Sequence, residues 1–333
     1  MSESITVKSQ ASYPLTNPPA GYLPVARACS FMVNIGSDMC QQWIKQNRPQ
    51  SPSAFHWSPA DPCPYTSAYK LSDYNIWMEL IWSTFTYKGK TYNEPFAFVA
   101  AGRDANYLVF RGSQTTVDFD LDGDDPQVPY TPDGGPSGML VEAGFHTVFA
   151  GCSAAISATL EKLKGFPWIP MPPVILPGSE STAEAASPNS NPLYITGHSL
   201  GSTLATLAVP LAVAAGWEGM QCNQASPRVG NAAFADYIDG FTQMPTYRLV
   251  NTEDLVPKAP PAAVRVNHEM YYYQHAGTKV DFTALYLNSK GKLDEKDEHS
   301  PCCSYSYGLF HPTSTVNPDI TQCVATLEPK VSE

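Results

Sequence analysis

The stretch Leu193-Tyr194-Ile195-Thr196-Gly197-His198-Ser199-Leu200-Gly201 holds the pattern in this 333-residue chain best suited to chemistry. A serine stands between two glycines, each two residues away. A short apolar run precedes it, and the small-residue segment Ser202-Thr203-Leu204-Ala205-Thr206-Leu207-Ala208 follows. That is the layout of a nucleophile elbow, in which strand turns so sharply into helix that the serine backbone is strained and Oγ points outward. Gly197 and Gly201 lack a Cβ, which lets the helix sit against the strand. Ser199 would then stand at a helix N-terminus, where the N–H of Leu200 can receive an oxyanion. The bare five-residue pattern arises by accident roughly once in eight to ten chains of this Gly and Ser content, so its flanks carry the weight. Gly135-Pro136-Ser137-Gly138 has the wrong spacing and lies in a Pro/Gly loop.

A nucleophilic serine needs a base to take its proton and an acid to orient that base. In the strand-turn-helix hydrolases these follow in the order serine, acid, histidine. Downstream, Tyr247-Arg248-Leu249-Val250-Asn251-Thr252-Glu253-Asp254-Leu255-Val256-Pro257 reads as a strand ending in carboxylates. Asp254 is preferred to Glu253 because it abuts the apolar Leu255-Val256-Pro257, which should partly bury it. Seven histidines compete for the base. His56 and His146 precede the serine. His198 lies inside the elbow and should point away from the line of attack. His268 and His275 flank a strand-like Tyr271-Tyr272-Tyr273 run and suit a structural hydrogen bond. His299 and His311 remain, and His299 is preferred because it opens a loop leading into the last apolar-aromatic stretch.

A second oxyanion donor should come from a loop after an earlier strand. Phe96-Ala97-Phe98-Val99-Ala100 and Tyr107-Leu108-Val109-Phe110 read as a hairpin turned at Gly102-Arg103-Asp104-Ala105. The second strand ends in Arg111-Gly112-Ser113, and Ser113 can offer both its N–H and its hydroxyl.

Taken together, Phe110-Arg111-Gly112-Ser113, Gly144-Phe145, the elbow, Ala225-Ser226-Pro227-Arg228-Val229-Gly230-Asn231 and Tyr247 through Pro257 resemble the class 3 lipases, the fungal-lipase-like α/β-hydrolases. The resemblance covers roughly residues 70–315 in consistent order. It implies Ser199 as nucleophile, Asp254 as acid, His299 as base, and Ser113 and Leu200 as oxyanion donors. Gly197, His198 and Gly201 are implied as elbow support. Asp122 falls where the family has an aspartate supporting the oxyanion serine, and Tyr305 where members often have a tyrosine after the histidine. The chain departs from the family at Glu142, Phe119 and Ser202. The implied substrates are acylglycerols or related fatty-acid esters, met at an oil–water interface, and no cofactor is implied. Soluble-ester or feruloyl-type esterase and phospholipase A1 are the alternatives, with a non-catalytic binding protein on the same scaffold beyond them.

The family's lid would fall on Thr115 to Pro126, which here is acidic and thin in apolar residues. Asp118, Asp120, Asp122 and Gly123 imitate a calcium-binding loop, but its twelfth position is Pro129 where a bidentate glutamate is required. A solvated acidic stretch is the expectation, with no metal.

The elements that must position these residues make an α/β fold: a mostly parallel central sheet with helices on both faces. Residues 1–24 should form an extended Pro/Ser/Thr-rich arm, and residues 25–333 one domain with insertions at 165–191 and 288–298. Val25–Lys45, Ser72–Phe85 and Phe145–Leu163 read as helices, the second with Ile76, Leu80 and Ile81 on one face. Phe166 to Leu176 should pack on the far side of the sheet from the site, since ligands of open α/β sheets bind at the carboxyl ends of the strands. Gly178 to Asn191 reads as mobile. Charged residues are 15% of the chain and the net charge is −11, which argues against nucleic acid and anionic membranes. No apolar run has transmembrane length. The N-terminus shows no signal peptide, while low lysine and many prolines lean towards extracellular life. Eight cysteines permit disulfides, with Cys302 or Cys303 to Cys323 as a tether for the His299 loop; most of the eight suit a reduced, buried role equally well.

Overall fold

The computed structural model describes residues 14–16, 18–114, 126–168, 187–285 and 298–313. Helix α1 (Tyr22–Lys45) starts within the expected N-terminal arm, directly after Gly21 at φ 77°. The Leu15 and Thr16 N–H groups donate to Pro312 O and Asp281 O. The strands β1 (Trp77–Tyr87), β2 (Lys90–Ala101) and β3 (Asn106–Phe110) follow. The expected helix over Ser72–Phe85 is therefore corrected to a strand. Trp, Ile, Thr, Phe and Tyr favour a pleated surface. Burial in β1 alternates at Ile81, Ser83 and Phe85 against Thr84 and Thr86. Ile76, which anchored the helical reading, is 52% exposed.

A short hairpin, β4 (Gln127–Pro129) with β5 (Leu140–Glu142), leads into α2 (Ala143–Ala150) and α3 (Ser153–Gly165). A single helix was expected over Phe145–Leu163. The break falls at Gly151, where a Cβ would lie 2.4 Å from Thr84 O, so β1 presses on the chain there and the helix interrupts. The pair β6 (Pro167–Trp168) and β7 (Ser187–Pro188) then brackets the first insertion, most of which is outside the described residues. The alternation of strand and helix resumes with β8 (Leu193–Gly197), α4 (Leu200–Ala214), β9 (Gly219–Gln224), α5 (Ala232–Asp239) and β10 (Thr246–Asn251). A hairpin of β11 (Ala263–Val266) and β12 (Glu269–Tyr272) precedes β13 (Thr278–Phe282). A π-helical segment, Pro301–Ser306, runs into the short α6 (Tyr307–Phe310).

The seven-stranded sheet has the order β1-β2-β3-β8-β9-β10-β13. The two pairings β1–β2 and β2–β3 are antiparallel, and the four from β3 to β13 are parallel. Both faces are covered, so successive residues of one strand enter different cores. Leu108 and Phe110 join the cluster under α2 to α5, while Tyr107 and Val109 join the one under α1 and the π-helical segment. This is why the central strands read as unbroken apolar runs. The parallel order brings the C-terminal ends of β8 and β10 to one edge of the sheet. No single helix among the described residues is long and apolar enough to cross a membrane.

Candidate active site

Ser199 caps α4 with φ 57° and ψ −131°, a conformation that non-glycine residues rarely take and that costs on the order of 1–3 kcal/mol. Two close approaches hold it there. A Cβ at Gly197 would lie 2.2 Å from Gly201 O, and one at Gly201 would lie 2.4 Å from Arg111 O. The glycine spacing is thus a packing requirement of strand against helix and of helix against the end of β3. The Ser199 N–H donates to Gln224 O at 3.1 Å, and Gly201 and Ser202 donate to His198 O and Ser199 O. The N–H of Leu200 belongs to the first helical turn, which has no intrahelical acceptors to offer. The Leu200 side chain is fully buried in the core and fixes that turn.

The structure brings Ser199, His299 and Asp254 together. His299 Nε2 lies 2.9 Å from Ser199 Oγ, and His299 Nδ1 lies 2.8 Å from Asp254 Oδ2. His311 is elsewhere: its ring stacks on Tyr307 at 4.4 Å and its Nδ1 lies 3.1 Å from Tyr307 O. Asp254 is buried, though not by the neighbour expected to cover it, since Leu255 is 52% exposed. Its Oδ1 accepts from the Val256 N–H at 2.9 Å. Its Oδ2 accepts a second bond, from the Tyr305 hydroxyl at 2.6 Å. Burial, reinforced by the negative charge of Asp254, holds the Tyr305 phenol well above its usual range, so it remains a donor. Glu253 turns to the Thr252 hydroxyl instead.

Two residues emerge from the structure with roles that the sequence pattern did not assign. Tyr305 is one, because only the fold shows its hydroxyl on Asp254. Asn251 is the other: fully buried at the end of β10, its Nδ2 donates to Ala284 O, Glu298 O and Ser304 Oγ. Its Oδ1 accepts from the Ala284 N–H, and its own N–H donates to Tyr305 OH. One amide therefore ties the strand before the acid to the segment bearing the histidine. An asparagine at a strand end resembles many turn residues, so nothing local marked it.

His198 lies against the other face of the site. Its ring centroid is 4.5 Å from that of His299 and 5.5 Å from Tyr305. Burial first, and then the neighbouring His299, push its pKa well down, so the ring stays neutral beside that imidazole. His275 is also held down, to about 3, by burial and by Arg248 and Arg228. His268 occupies a tight turn at φ 73°.

At the end of β3, a Cβ on Gly112 would stand 3.5 Å from Ser199 Cβ and 2.9 Å from His198 O. Ser113 therefore follows directly from a residue lodged against Ser199. Arg111, fully buried, pairs with Glu94 at 2.6 Å and lies over the Phe96 ring at 3.8 Å. Its Nη1 donates to Gly112 O at 3.0 Å, so the buried ion pair fixes the turn into Ser113. Asp122 and most of the acidic stretch lie outside the described residues. Among the described residues no cluster of three or more His, Cys, Asp or Glu side chains suits a metal ion.

Cys302, three residues past His299, is bonded to Cys63 across 239 positions of sequence. The expected partner Cys323 lies outside the described residues, and Cys303, Cys29, Cys40, Cys152 and Cys222 are buried. The tether on the histidine segment thus runs to the loop before β1, because the 3-10 turn Pro64–Thr66 packs on the π-helical segment.

The chain is similar to known proteins of one fold. A profile of the class 3 lipases matches residues 180–264, from the approach to β8 into β11. A lipase from Rhizomucor miehei is 32% identical over 196 residues, 56% of this chain and 45% of the relative. Secreted mono- and diacylglycerol lipase A from Penicillium cyclopium is 44% identical over 77 residues, 23% of this chain and 24% of the relative. These matches thus span less than half the length of either relative. The solved triacylglyceride lipase of Rhizomucor miehei superposes with a TM-score of 0.53 at 24% identity, covering 80% of this chain and 82% of that one. With the α/β-hydrolase sheet, the strained serine and the ordered blocks from β3 to the histidine segment, the chain is similar to the class 3 lipases and shares their fold.

Proposed function

We propose that the chain is a serine carboxylic-ester hydrolase that cleaves fatty-acid esters of glycerol through an acyl-enzyme. The observation that carries this reading is the continuous relay from Ser199 Oγ to His299 Nε2 at 2.9 Å and from His299 Nδ1 to Asp254 Oδ2 at 2.8 Å. In the proposed reaction His299 takes the Ser199 proton as Oγ attacks the ester carbonyl. The N–H groups of Ser113 and Leu200 receive the oxyanion, a contribution of about 10²–10³ in rate for one such donor. His299 returns the proton to the departing alcohol, leaving Ser199 acylated. Water, deprotonated by the same imidazole, then attacks the acyl carbon, and collapse of that second intermediate releases the fatty acid and restores Ser199. Asp254 holds the imidazole tautomer and stabilises its cation.

The glycerol ester as substrate draws on the names of the relatives. A dissolved ester of another alcohol is the second reading, favoured by the carboxylates of Asp118, Asp120, Asp122, Asp124 and Asp125 just after Ser113. The single domain with insertions at 165–191 and 288–298 is part of the proposal, supported by one sheet with a core on each face. The direct test is titration of fatty acid released from tributyrin by the wild type and by Ser199→Ala. Loss of turnover by at least 10³-fold in a folded Ser199→Ala protein is expected; retained turnover would remove Ser199 from the mechanism.

A further inference from the structure

Ser113 is followed by Gln114, whose side chain does not point into the relay. It reaches across to α1 instead. Gln41 Nε2 donates to Gln114 Oε1 at 3.1 Å, and Gln114 Nε2 donates to Ser37 O at 3.4 Å. Residues 37 and 41 are one turn apart and share a helix face, so the amide of Gln114 is gripped at both of its ends by one rigid element. That element is itself fixed close by: a Cβ at Gly36 would stand 3.5 Å from Val109 on β3. On the other side of Ser113, the Gly112 carbonyl is held by the buried Arg111 guanidinium, which is locked by Glu94 and by Pro95 O. Gly112 is wedged against His198 and Ser199. The tetrapeptide Arg111-Gly112-Ser113-Gln114 is thus anchored at both ends to the sheet and to α1.

An oxyanion donor is most effective when it needs no reorganisation as charge develops. A donor on a loop that must first be rearranged by an oil surface would be productive in only a fraction of molecules in water, and turnover of dissolved substrate would fall by that fraction. The anchors on either side of Ser113 come from α1 and from the β2–β3 pair, neither of which faces that choice.

We propose that Gln114 is a positioning residue that holds Ser113 in its donor position through α1, so that the oxyanion site is preformed and singly dissolved acyl esters are turned over without an oil–water surface. The proposal rests on the hydrolase reading above. Its subject is the form in which the ester is presented, and the pinned amide is what distinguishes a standing donor from one assembled on demand.

The test uses the full chain and tributyrin, taken from below to above its solubility limit. For the wild type the rate is expected to rise and saturate smoothly through that limit. Gln114→Ala is expected to lower kcat on dissolved tributyrin about tenfold with KM nearly unchanged. It should also weaken binding of a boronic acid transition-state analogue by the same factor, which a merely structural loss would not match. Gln41→Ala, on the helix side, should lower kcat in the same direction, and the double variant should be no worse than Gln114→Ala. That variant also serves if Gln114→Ala does not fold. A wild-type rate that jumps tenfold or more as droplets form would overturn the proposal, and so would unchanged kcat and boronate affinity in both variants. Either result, with Ser199→Ala inactive, leaves the hydrolase reading standing; an active Ser199→Ala protein removes that reading itself.

Discussion

The Tyr305 hydroxyl donates at 2.6 Å to Oδ2 of Asp254, the same oxygen that lies 2.8 Å from His299 Nδ1. One carboxylate oxygen therefore serves both a phenol and the imidazole, while Oδ1 is taken by the Val256 N–H. The carboxylate cannot rotate without breaking one of these bonds. Hydrogen bonds to charged groups contribute about 1.5–3 kcal/mol. Tyr305→Phe keeps the ring packed against Phe282 and His198 and removes the hydroxyl, both the donor to Asp254 and the acceptor of the Asn251 N–H. It should lower kcat on a dissolved ester about tenfold, leave KM nearly unchanged and cost about 1–2 kcal/mol in urea unfolding. Unchanged kcat would show that the acid is oriented without the phenol.

The choice of base separates two histidines only twelve positions apart. His299→Ala should abolish turnover of p-nitrophenyl butyrate, with a loss of at least 10³-fold. His311→Ala should keep kcat within about threefold, since that ring is committed to Tyr307 and Tyr65. The opposite outcome would move the base to His311 and contradict the geometry.

The elbow glycines make a stability prediction. A Cβ at Gly201 would meet Arg111 O at 2.4 Å and Phe110 O at 2.5 Å, both backbone atoms with little room to yield. Gly201→Ala should therefore destabilise the fold by about 2–3 kcal/mol, as overpacking does, and should displace the turn into Ser113 as well as the serine. A melting temperature within a degree of wild type would show that the helix can shift without penalty.

Acidification should destabilise the fold through His275 and His198, whose pKa values desolvation holds down. His275, held down to about 3 against an ordinary value of 6.5, stays neutral in the folded protein over a range where the unfolded chain binds a proton. Its contribution is complete above about pH 6.5 and is lost progressively as pH falls towards 3, at up to about 1.4 kcal/mol per pH unit. His198 acts in the same direction. Asp38 and Asp61, whose carboxyls are raised chiefly by burial, act in the opposite one, since their folded forms hold protons more tightly. Melting temperatures measured from pH 7 to pH 5 should fall, and the slope should be shallower in His275→Gln. Equal slopes would remove His275 as a source of acid sensitivity.

The chemistry-bearing blocks were legible because each is local. The Gly-x-Ser-x-Gly spacing records a contact between adjacent elements, and Asp254 follows a strand whose apolar run is unmistakable. The meeting of Ser199 with His299 needed only the expectation that parallel strands end on one edge. What escaped the sequence depends on partners far along the chain. Tyr305 meets Asp254 across 51 positions, Asn251 meets Ser304 across 53, and Cys63 meets Cys302 across 239. Trp77–Tyr87 misled in another way. Its apolar residues satisfy a helical period over a few positions, and only pairing with β2 shows that the period of two governs.

His299 owes its place to what comes after it. Ser300 Oγ accepts the Cys303 N–H, Cys302 is bonded to Cys63, and Tyr305 reaches back to Asp254. The imidazole is thus moored from its downstream side by three ties, and on its upstream side by the Glu298 carbonyl, which accepts from Asn251 Nδ2. Protein engineers should therefore treat Glu298 to Tyr305 as one unit: transplanting the imidazole to another scaffold means carrying the Asn251 amide and Cys63 along with it.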